Sequence, residues 1–253
     1  MAELHVGVGS FIEANRPTGF SAVGAFGTGA RLGFISHRHD HEMTFVNHDD
    51  WSRWVKSYYQ DIETYDWVDV ADNLRGPEAL FHRYRSRLVR KLLGGYLPDS
   101  VILDAGCGTG LNLRSLPVGS VGLDINPRNI DVIRQRLPDH ESVLGDIEDL
   151  PFEDETFPGV LCTEVLEHVP DPDTALKEIW RVLKPGGLLI GSVPARSPIW
   201  RLRFLSSTCP AGEPFHNEYR VGEIREMLSY YELISVRYAL FWSSVVFVAR
   251  KSG

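Results

Sequence analysis

The sequence is poor in cysteine and contains no long apolar run, and each shortage argues against a class of protein. Only three cysteines occur among 253 residues, and no CxxC pair is present, so neither a disulfide framework nor a cysteine-based zinc or redox site is expected. No segment approaches the roughly 18 apolar residues that cross a bilayer, and the N-terminus lacks the basic and apolar stretches of a signal peptide. We therefore expect a cytoplasmic protein without a membrane span.

Positive charge is also in short supply. The chain has 26 Lys and Arg against 34 Asp and Glu, which gives a formal net charge of -8. Such a surface repels nucleic acid over much of its area, so a small-molecule partner is favoured. Apolar residues make up 43% of the chain, which is enough for a sizeable core.

The beginning of the chain lacks the periodicity of a packed element. Its first 50 residues hold 7 of the 23 glycines and 5 of the 9 histidines, so we predict a loop-rich N-terminal arm over residues 1–48. His37, His39 and His41 would share one face of a strand and could bind a metal there. Since no other ligand set supports such a site, a solvated polar segment is the favoured interpretation.

Two amphipathic helices follow this arm. The first begins near Asp50, which can cap it, and the second runs from about Pro77 to Leu93. We expect residues 49–97 to form a helical cap whose two helices close over a ligand site. The apolar stripes consist of Trp51, Trp54, Val55 and Tyr58, and of Phe81, Tyr84, Leu88 and Leu92.

Short apolar runs alternate with helical patterns from Ser100 onward. The runs are continuously apolar, which is typical of parallel strands buried on both faces, whereas the last two look like an antiparallel pair. We therefore predict an α/β fold with a doubly wound, seven-stranded, mostly parallel sheet over residues 98–253, with 196–220 as an insertion. The strand candidates are residues 101–103, 121–123, 142–144, 160–162, 188–193, 233–238 and 245–249.

A glycine-rich turn follows the first of these strands, in the segment VILDAGCGTG. Gly106, Gly108 and Gly110 allow the backbone to turn sharply and approach a ligand with its amide groups exposed. A dinucleotide-binding fingerprint needs G-x-G-x-x-G, and its third glycine position is Leu111 here. The G-x-G-x-G spacing behind Asp104 favours a ligand without a pyrophosphate, with this carboxylate near the ammonium group of a zwitterion.

Two further aspartates follow the next two strands. Asp124, in VGLDINP, can accept hydrogen bonds from both hydroxyls of a ribose. Asp146, in LGDIEDLPF, can take an adenine amino group together with the neighbouring backbone. Three acidic residues at the ends of successive strands, after such a turn, predict a binding site at this edge of the sheet.

These segments resemble the class I S-adenosylmethionine-dependent methyltransferases, in particular the small-molecule group that includes ubiquinone and menaquinone biosynthesis enzymes. DAGCGTG, GLDINP, GDIEDLPFEDETF, LCTEVLEHVPDP and EIWRVLKPGGLLIGSVP match the motifs of that family in order, over roughly residues 98–195. The resemblance implies a Rossmann-like methyltransferase fold that binds S-adenosylmethionine and releases S-adenosylhomocysteine. It also implies contacts from the three glycines to the methionine and ribose portions, from Asp124 to the ribose, and from Ile125, Asp146 and Ile147 to the adenine.

The segment after the fourth strand bears on the acceptor. Methyltransferases that act on amino groups of nucleic-acid bases carry an Asn/Asp-Pro-Pro-aromatic tetrapeptide there, whereas this chain has Cys162-Thr163-Glu164-Val165. Cytosine C5 enzymes need a Pro-Cys nucleophile, and Cys162 follows Leu161. Both classes are therefore disfavoured.

Two histidines are candidates for activating an acceptor, and two interpretations stay open. His168 or His216 could act as a general base, since imidazole titrates near neutrality. Alternatively, Glu164, Glu167 and His168, spaced to share one helical face, could hold a divalent metal with His216, as in small-RNA 3′-end and some quinone O-methyltransferases. We favour the metal-free interpretation.

The sequence thus predicts an enzyme that methylates an O, N or C atom of a small-molecule acceptor. Two alternatives are a metal-assisted O-methyltransferase acting on a diol, a catechol or an RNA 3′ end, and a cofactor-binding regulator without turnover.

Overall fold

The computed structural model describes residues 20–23, 33–36, 47–62, 66–73, 77–197 and 217–252. The cluster of His37, His39 and His41, the candidate His216 and most of the insertion 196–220 lie outside these residues.

The N-terminal arm contains two short strands, which the sequence did not predict. Strand β1 (Phe20–Val23) pairs antiparallel with β2 (Gly33–Ser36), and the two form a sheet of their own. Each strand has four residues, a length over which alternation of apolar and polar residues is hardly detectable. The prediction of a loop-rich arm therefore did not include these two strands.

The main sheet has seven strands, as predicted. Its order is β5-β4-β3-β6-β7-β9-β8, with β3 to β7 parallel and β9 antiparallel to both of its neighbours. The strands are β3 (Leu103–Ala105), β4 (Val121–Asp124), β5 (Glu141–Leu144), β6 (Phe157–Thr163), β7 (Leu183–Pro194), β8 (Glu232–Ala239) and β9 (Ser244–Arg250).

The order in which strands are added to the sheet reverses between β3 and β6, which are neighbours in the sheet. Strands β4 and β5 lie on one side of β3, and β6 and all later strands lie on the other. In doubly wound sheets, ligands bind outside the carboxyl ends of the strands at such a switch point. The segments after β3, β4, β5 and β6 are therefore the ones that can build a site.

Six α-helices surround the sheet in the described residues. The first three precede it, and the first is capped by Asn47, whose side chain accepts a hydrogen bond from Asp50 N at 2.8 Å, and not by Asp50 as predicted. They are α1 (His48–Asp61), α2 (Trp67–Asn73), α3 (Pro77–Tyr96), α4 (Pro127–Arg136), α5 (Pro172–Val182) and α6 (Val221–Met227). None of the described helices combines the length and apolar character needed to cross a bilayer.

The core lies on both faces of the central strands. All residues of β3 and β4 are buried, as are six of the seven residues of β6. Burial on both faces explains why these strands read as continuous apolar runs in the sequence. The buried faces of α4 and α5 contribute Ile130, Ile133, Leu176 and Ile179.

We propose that the N-terminal arm is dispensable for the sheet and for ligand binding, because β1 and β2 pair only with each other. Deleting residues 1–40 should shift the midpoint of thermal unfolding by less than about 3 °C, the shift produced by roughly 1 kcal/mol in a domain of this size. Differential scanning calorimetry measures the shift. As a comparison, deletion through residue 61 also removes α1 and should lower the midpoint clearly; equal losses in the two truncated proteins would refute the proposal.

Candidate functional site

The glycine-rich turn leaves β3 and is covered by side chains from two other segments. The backbone of Gly106 has φ 77° and that of Gly108 has φ 54°, conformations that favour glycine. A Cβ on Gly106 would collide with Val165, and one on Gly108 would lie 3.0 Å from the ring of Trp67 on α2. Val165, in the loop after β6, and Trp67, on α2, therefore cover the glycine-rich turn.

Asp104 lies in the middle of β3 and is nearly inaccessible, with 1% of its surface exposed. Burial, reinforced by the nearby carboxylate of Asp124, raises the pKa of Asp104 to about 7. Its Oδ2 atom has no hydrogen-bond partner among the described residues. An unsatisfied buried carboxylate oxygen fits a cationic ligand group, such as the ammonium expected from the sequence, since a positive charge would offset the cost of burying it.

Asp124 ends β4 and holds the glycine-rich turn to the next helix. Its Oδ2 accepts a hydrogen bond from Gly108 N at 2.8 Å, and its Oδ1 accepts from Asn126 N at 2.9 Å and Asn129 Nδ2 at 3.0 Å. Burial raises the pKa of this carboxyl group, and the three donors oppose that shift. A carboxylate offers about four acceptor positions, so these donors leave little capacity for a ribose, and the expected contact with both ribose hydroxyls stays a prediction.

Asp146 follows β5 and forms an ion pair with a lysine of α1. Its Oδ1 accepts from Glu148 N at 2.9 Å, and its Oδ2 forms an ion pair with Lys56 Nζ on α1 at 2.7 Å. Lys56 also pairs with Glu148. The neighbouring Ile147 is buried, and Ile125 after β4 is partly buried. Lys56 therefore lies directly beside the carboxylate that the sequence assigns to adenine.

The cap, which we define as residues 47–73, is bound to the rest of the fold by a hydrogen bond and two ion pairs. Near α1, Asn126 Nδ2 donates to the carbonyl of Ile62 at 3.0 Å. Further along the cap, two ion pairs hold α2, one between Asp66 and Arg136 at 2.7 Å and one between Asp72 and Arg114 at 2.6 Å. The sequence predicted helices here but gave no indication of these partners, which lie 42 to 70 residues away in the chain.

The loop after β6 does not form the helix that the sequence predicted. Glu164 has φ 55°, and the helical turn that follows is a short 3-10 turn over Leu166–His168. Glu164 Oε1 accepts from Ser192 Oγ at 2.7 Å, and Oε2 lies 3.6 Å from Arg85 on α3. Because the left-handed residue breaks the helical path, Glu164, Glu167 and His168 do not share one helical face, and that prediction was wrong.

A metal centre finds no support in the part of the chain that the structure describes. Within it, no three His, Cys, Asp or Glu side chains come together as metal ligands. The proposed fourth ligand, His216, lies outside the described residues.

His168 instead joins the cap through a hydrogen bond that the sequence did not indicate. Its Nδ1 lies 2.8 Å from the hydroxyl of Tyr59 on α1, and its Nε2 lies 3.8 Å from the buried carboxylate of Glu167. About a quarter of the His168 side chain is exposed. The arrangement places an imidazole between a phenol and a carboxylate, which suits it to accept and release a proton.

Residues 103–191 match the family model described as "Methyltransferase domain". This part of the chain is similar to a methyltransferase domain. It contains β3 to β6 and most of β7, so it includes all of the expected cofactor residues, which are Asp104, Gly106, Gly108, Gly110, Asp124, Ile125, Asp146 and Ile147.

Curated relatives carry methyltransferase names. The chain is 35% identical over 113 residues to the malonyl-[acyl-carrier protein] O-methyltransferase of Serratia marcescens, covering 44% of each protein. It is 37% identical over 101 residues to the demethylmenaquinone methyltransferase of Renibacterium salmoninarum, covering 38% of this chain and 42% of the relative. The chain spans half or less of the length of these and other curated relatives that it matches.

A solved structure shares the fold of the methyltransferase domain. The magnesium protoporphyrin IX methyltransferase of Synechocystis PCC 6803, determined with bound SAH, aligns with a TM-score of 0.61 and 17% identity. The alignment covers 79% of this chain and 99% of that one. The predicted Rossmann-like methyltransferase fold is confirmed.

Proposed function

We propose that the protein transfers the methyl group of S-adenosylmethionine to an O, N or C atom of a small-molecule acceptor. The observation that carries this proposal is the buried, unsatisfied oxygen of Asp104 beneath the glycine-rich turn of a methyltransferase domain. The named relatives act on an acyl-carrier-bound malonyl group and on a demethylmenaquinone, which supports an organic acceptor. The net charge of -8 further disfavours nucleic acid.

Binding and orientation are the main tasks of this chain in the proposed reaction. When bound, S-adenosylmethionine supplies an electrophilic methyl group on a sulfonium, which an in-line displacement transfers to the acceptor. Asp104 would hold the ammonium group, Asp124 one ribose hydroxyl, and Asp146 with Ile147 the adenine edge. The cap would exclude water from the space between α1 and the strand ends, so that the acceptor meets the methyl group in one orientation.

We further propose that His168 accepts the proton that an O–H or N–H acceptor loses as its bond to the methyl group forms. Tyr59 would orient the imidazole through Nδ1, and Nε2 would receive the proton. The Glu167 carboxylate, 3.8 Å from Nε2 and so beyond hydrogen-bond distance, would stabilise the imidazolium that forms. Tyr59 is thus a positioning residue. His216 remains a second candidate base on sequence grounds alone.

Incubation with labelled S-adenosylmethionine and fractionated metabolite pools, followed by mass analysis, tests the proposed activity. The expected result is one product heavier than its acceptor by a methyl group. Cofactor binding without a product in any pool would instead favour a regulator that binds the cofactor without turnover. A product confined to RNA fractions would contradict the assignment of a small-molecule acceptor.

Asp124→Ala should weaken binding of S-adenosylhomocysteine roughly 30-fold. The change removes one charged hydrogen bond to the ribose and the acceptor that orients Gly108, a loss of about 2 kcal/mol. Isothermal titration calorimetry measures the affinity, and Asp131→Ala, an exposed aspartate on the neighbouring helix α4, is the matched control. Unchanged affinity in a folded Asp124→Ala protein would remove this residue from the ribose site.

A further inference from the structure

A cavity lies between α2, α3 and the segment that follows the glycine-rich turn. Its volume is about 350 Å³, which is within the range of small-molecule sites. Four of its eight lining residues are arginines and one is an aspartate, so its walls carry three net positive charges. The lining residues are Ala71, Asp72, Arg83, Ser86, Arg87, Arg90, Leu111 and Arg114.

The positive charge of this cavity contrasts with the net negative charge of the whole chain. Helix α3 carries five basic residues and one acidic residue, whereas the whole chain has a net charge of -8. Arg83, Arg87 and Arg90 are spaced i, i+4 and i+7, so they lie along one face of that helix. Like charges at this spacing destabilise a helix, and the fold keeps them together beside a cavity.

Two of the four arginines already form hydrogen bonds or ion pairs within the fold. Arg114 makes a two-fold contact with the Asp72 carboxylate, at 2.6 and 2.9 Å. Arg83 donates to the backbone carbonyls of Ala71 and Asp72 at the end of α2. These contacts neutralise the one acidic residue of the cavity and fix two of its walls.

Arg87 and Arg90 make no such contacts with the described residues. Both side chains are exposed, and neither forms an ion pair or a hydrogen bond with any other described residue. Their guanidinium groups project from adjacent turns of α3 at the cavity, where each can donate two parallel hydrogen bonds to a phosphate. The cavity therefore offers fixed walls and two uncommitted donors for an anion.

We propose that this cavity binds the phosphate group of a small phosphomonoester, with Arg87 and Arg90 as its main ligands. A dianionic phosphate matches the excess charge, and planar guanidinium groups match its oxygen geometry. The cavity volume leaves room for a small organic part of the ester, beside the apolar lining residues Ala71 and Leu111. A nucleic acid is disfavoured as the occupant, because the whole chain carries a net charge of -8.

Calorimetric titration of the full chain tests the site, with inorganic phosphate, phenyl phosphate and a ten-nucleotide single-stranded RNA as probes and the total salt held constant with sodium chloride. We expect saturable one-to-one binding of both small phosphates. Arg87→Ala/Arg90→Ala should weaken it at least tenfold, because each arginine contributes charge-assisted hydrogen bonds. Arg225→Ala/Arg237→Ala removes the same charge from exposed arginines on α6 and β8 and should leave binding within about twofold.

Three outcomes would overturn the proposal. They are the absence of saturable binding of either small phosphate, binding of the RNA alone, and an equal loss in the Arg225 and Arg237 control, which would indicate only general attraction. If the double variant fails to fold, the single variants Arg87→Ala and Arg90→Ala replace it, and affinity unchanged in both would equally contradict the site. Since Arg87 and Arg90 are not among the residues assigned to cofactor binding or proton transfer, the test does not depend on the proposed activity.

Discussion

Replacing His168 by alanine is expected to lower turnover of an O–H or N–H acceptor roughly 10²- to 10⁴-fold, the range associated with loss of a general base. Binding of S-adenosylhomocysteine should stay within about twofold, because Asp104, Asp124 and Asp146 are untouched. Steady-state kinetics and calorimetry on the same preparation separate these two effects. A parallel fall in cofactor affinity would show that His168 supports the fold of the site and not the proton transfer.

Two comparisons sharpen this test. His140→Ala is the matched control, because His140 lies before β5, at the opposite end of the strands, and turnover should not change. Tyr59→Phe removes only the hydroxyl bonded to His168 and should lower kcat with little change in KM. Activity that vanishes in a chelator and returns with added metal would instead support the metal-assisted alternative. Full activity in His168→Ala, His216→Ala and chelator would leave orientation alone as the mechanism.

Gly108→Val should weaken cofactor binding more than about 100-fold, which corresponds to roughly 2.7 kcal/mol. At φ 54° a β-branched residue is strained, and its Cβ would lie 3.0 Å from the Trp67 ring. The added methyl groups would shift either the turn that donates to Asp124 or the cap above it. Calorimetry with S-adenosylhomocysteine measures the loss.

The control for this change is Gly222→Val on α6. That glycine has open space around its Cβ position, so cofactor affinity should be preserved, and the helix should not lose stability because valine has a higher helix propensity than glycine. Wild-type affinity in Gly108→Val would show that the turn tolerates a side chain and that the ligand lies elsewhere. Circular dichroism confirms that both variants are folded before affinities are compared.

The sheet was predictable because its signal is local. Strands β3, β4 and β6 are short runs that are wholly or almost wholly buried, and Asp104, Asp124 and Asp146 were found from their positions at or near the ends of β3, β4 and β5. The segment Lys184-Pro185-Gly186-Gly187 has the composition of a type II turn, and Gly186 has φ 75°, yet β7 already begins at Leu183, which pairs with Phe157. The start of β7 is set by a strand pair between residues far apart in the chain, so the local sequence around Leu183 does not reveal it.

The contacts of the site were less predictable for a related reason. Tyr59 and His168 are 109 residues apart, and Lys56 reaches Asp146 from a helix whose sequence pattern indicates only an apolar face. The mistaken helix at Glu164 has a different origin. Spacing at i, i+3 and i+4 assumes right-handed helical backbone throughout, and a single residue at φ 55°, held by its contacts to Ser192, removes that assumption.

The ion pairs that hold the cap make it sensitive to a variable that hardly affects the sheet. Lys56 with Asp146, Arg136 with Asp66, and Arg114 with Asp72 are all partly exposed, so mobile ions reach them. The Debye screening length falls from about 10 Å at 0.1 M to about 3 Å at 1 M. Concentrated salt therefore weakens the attachment of the cap while the apolar sheet keeps its packing. The stability of the cap depends on ionic strength, and that of the sheet hardly does.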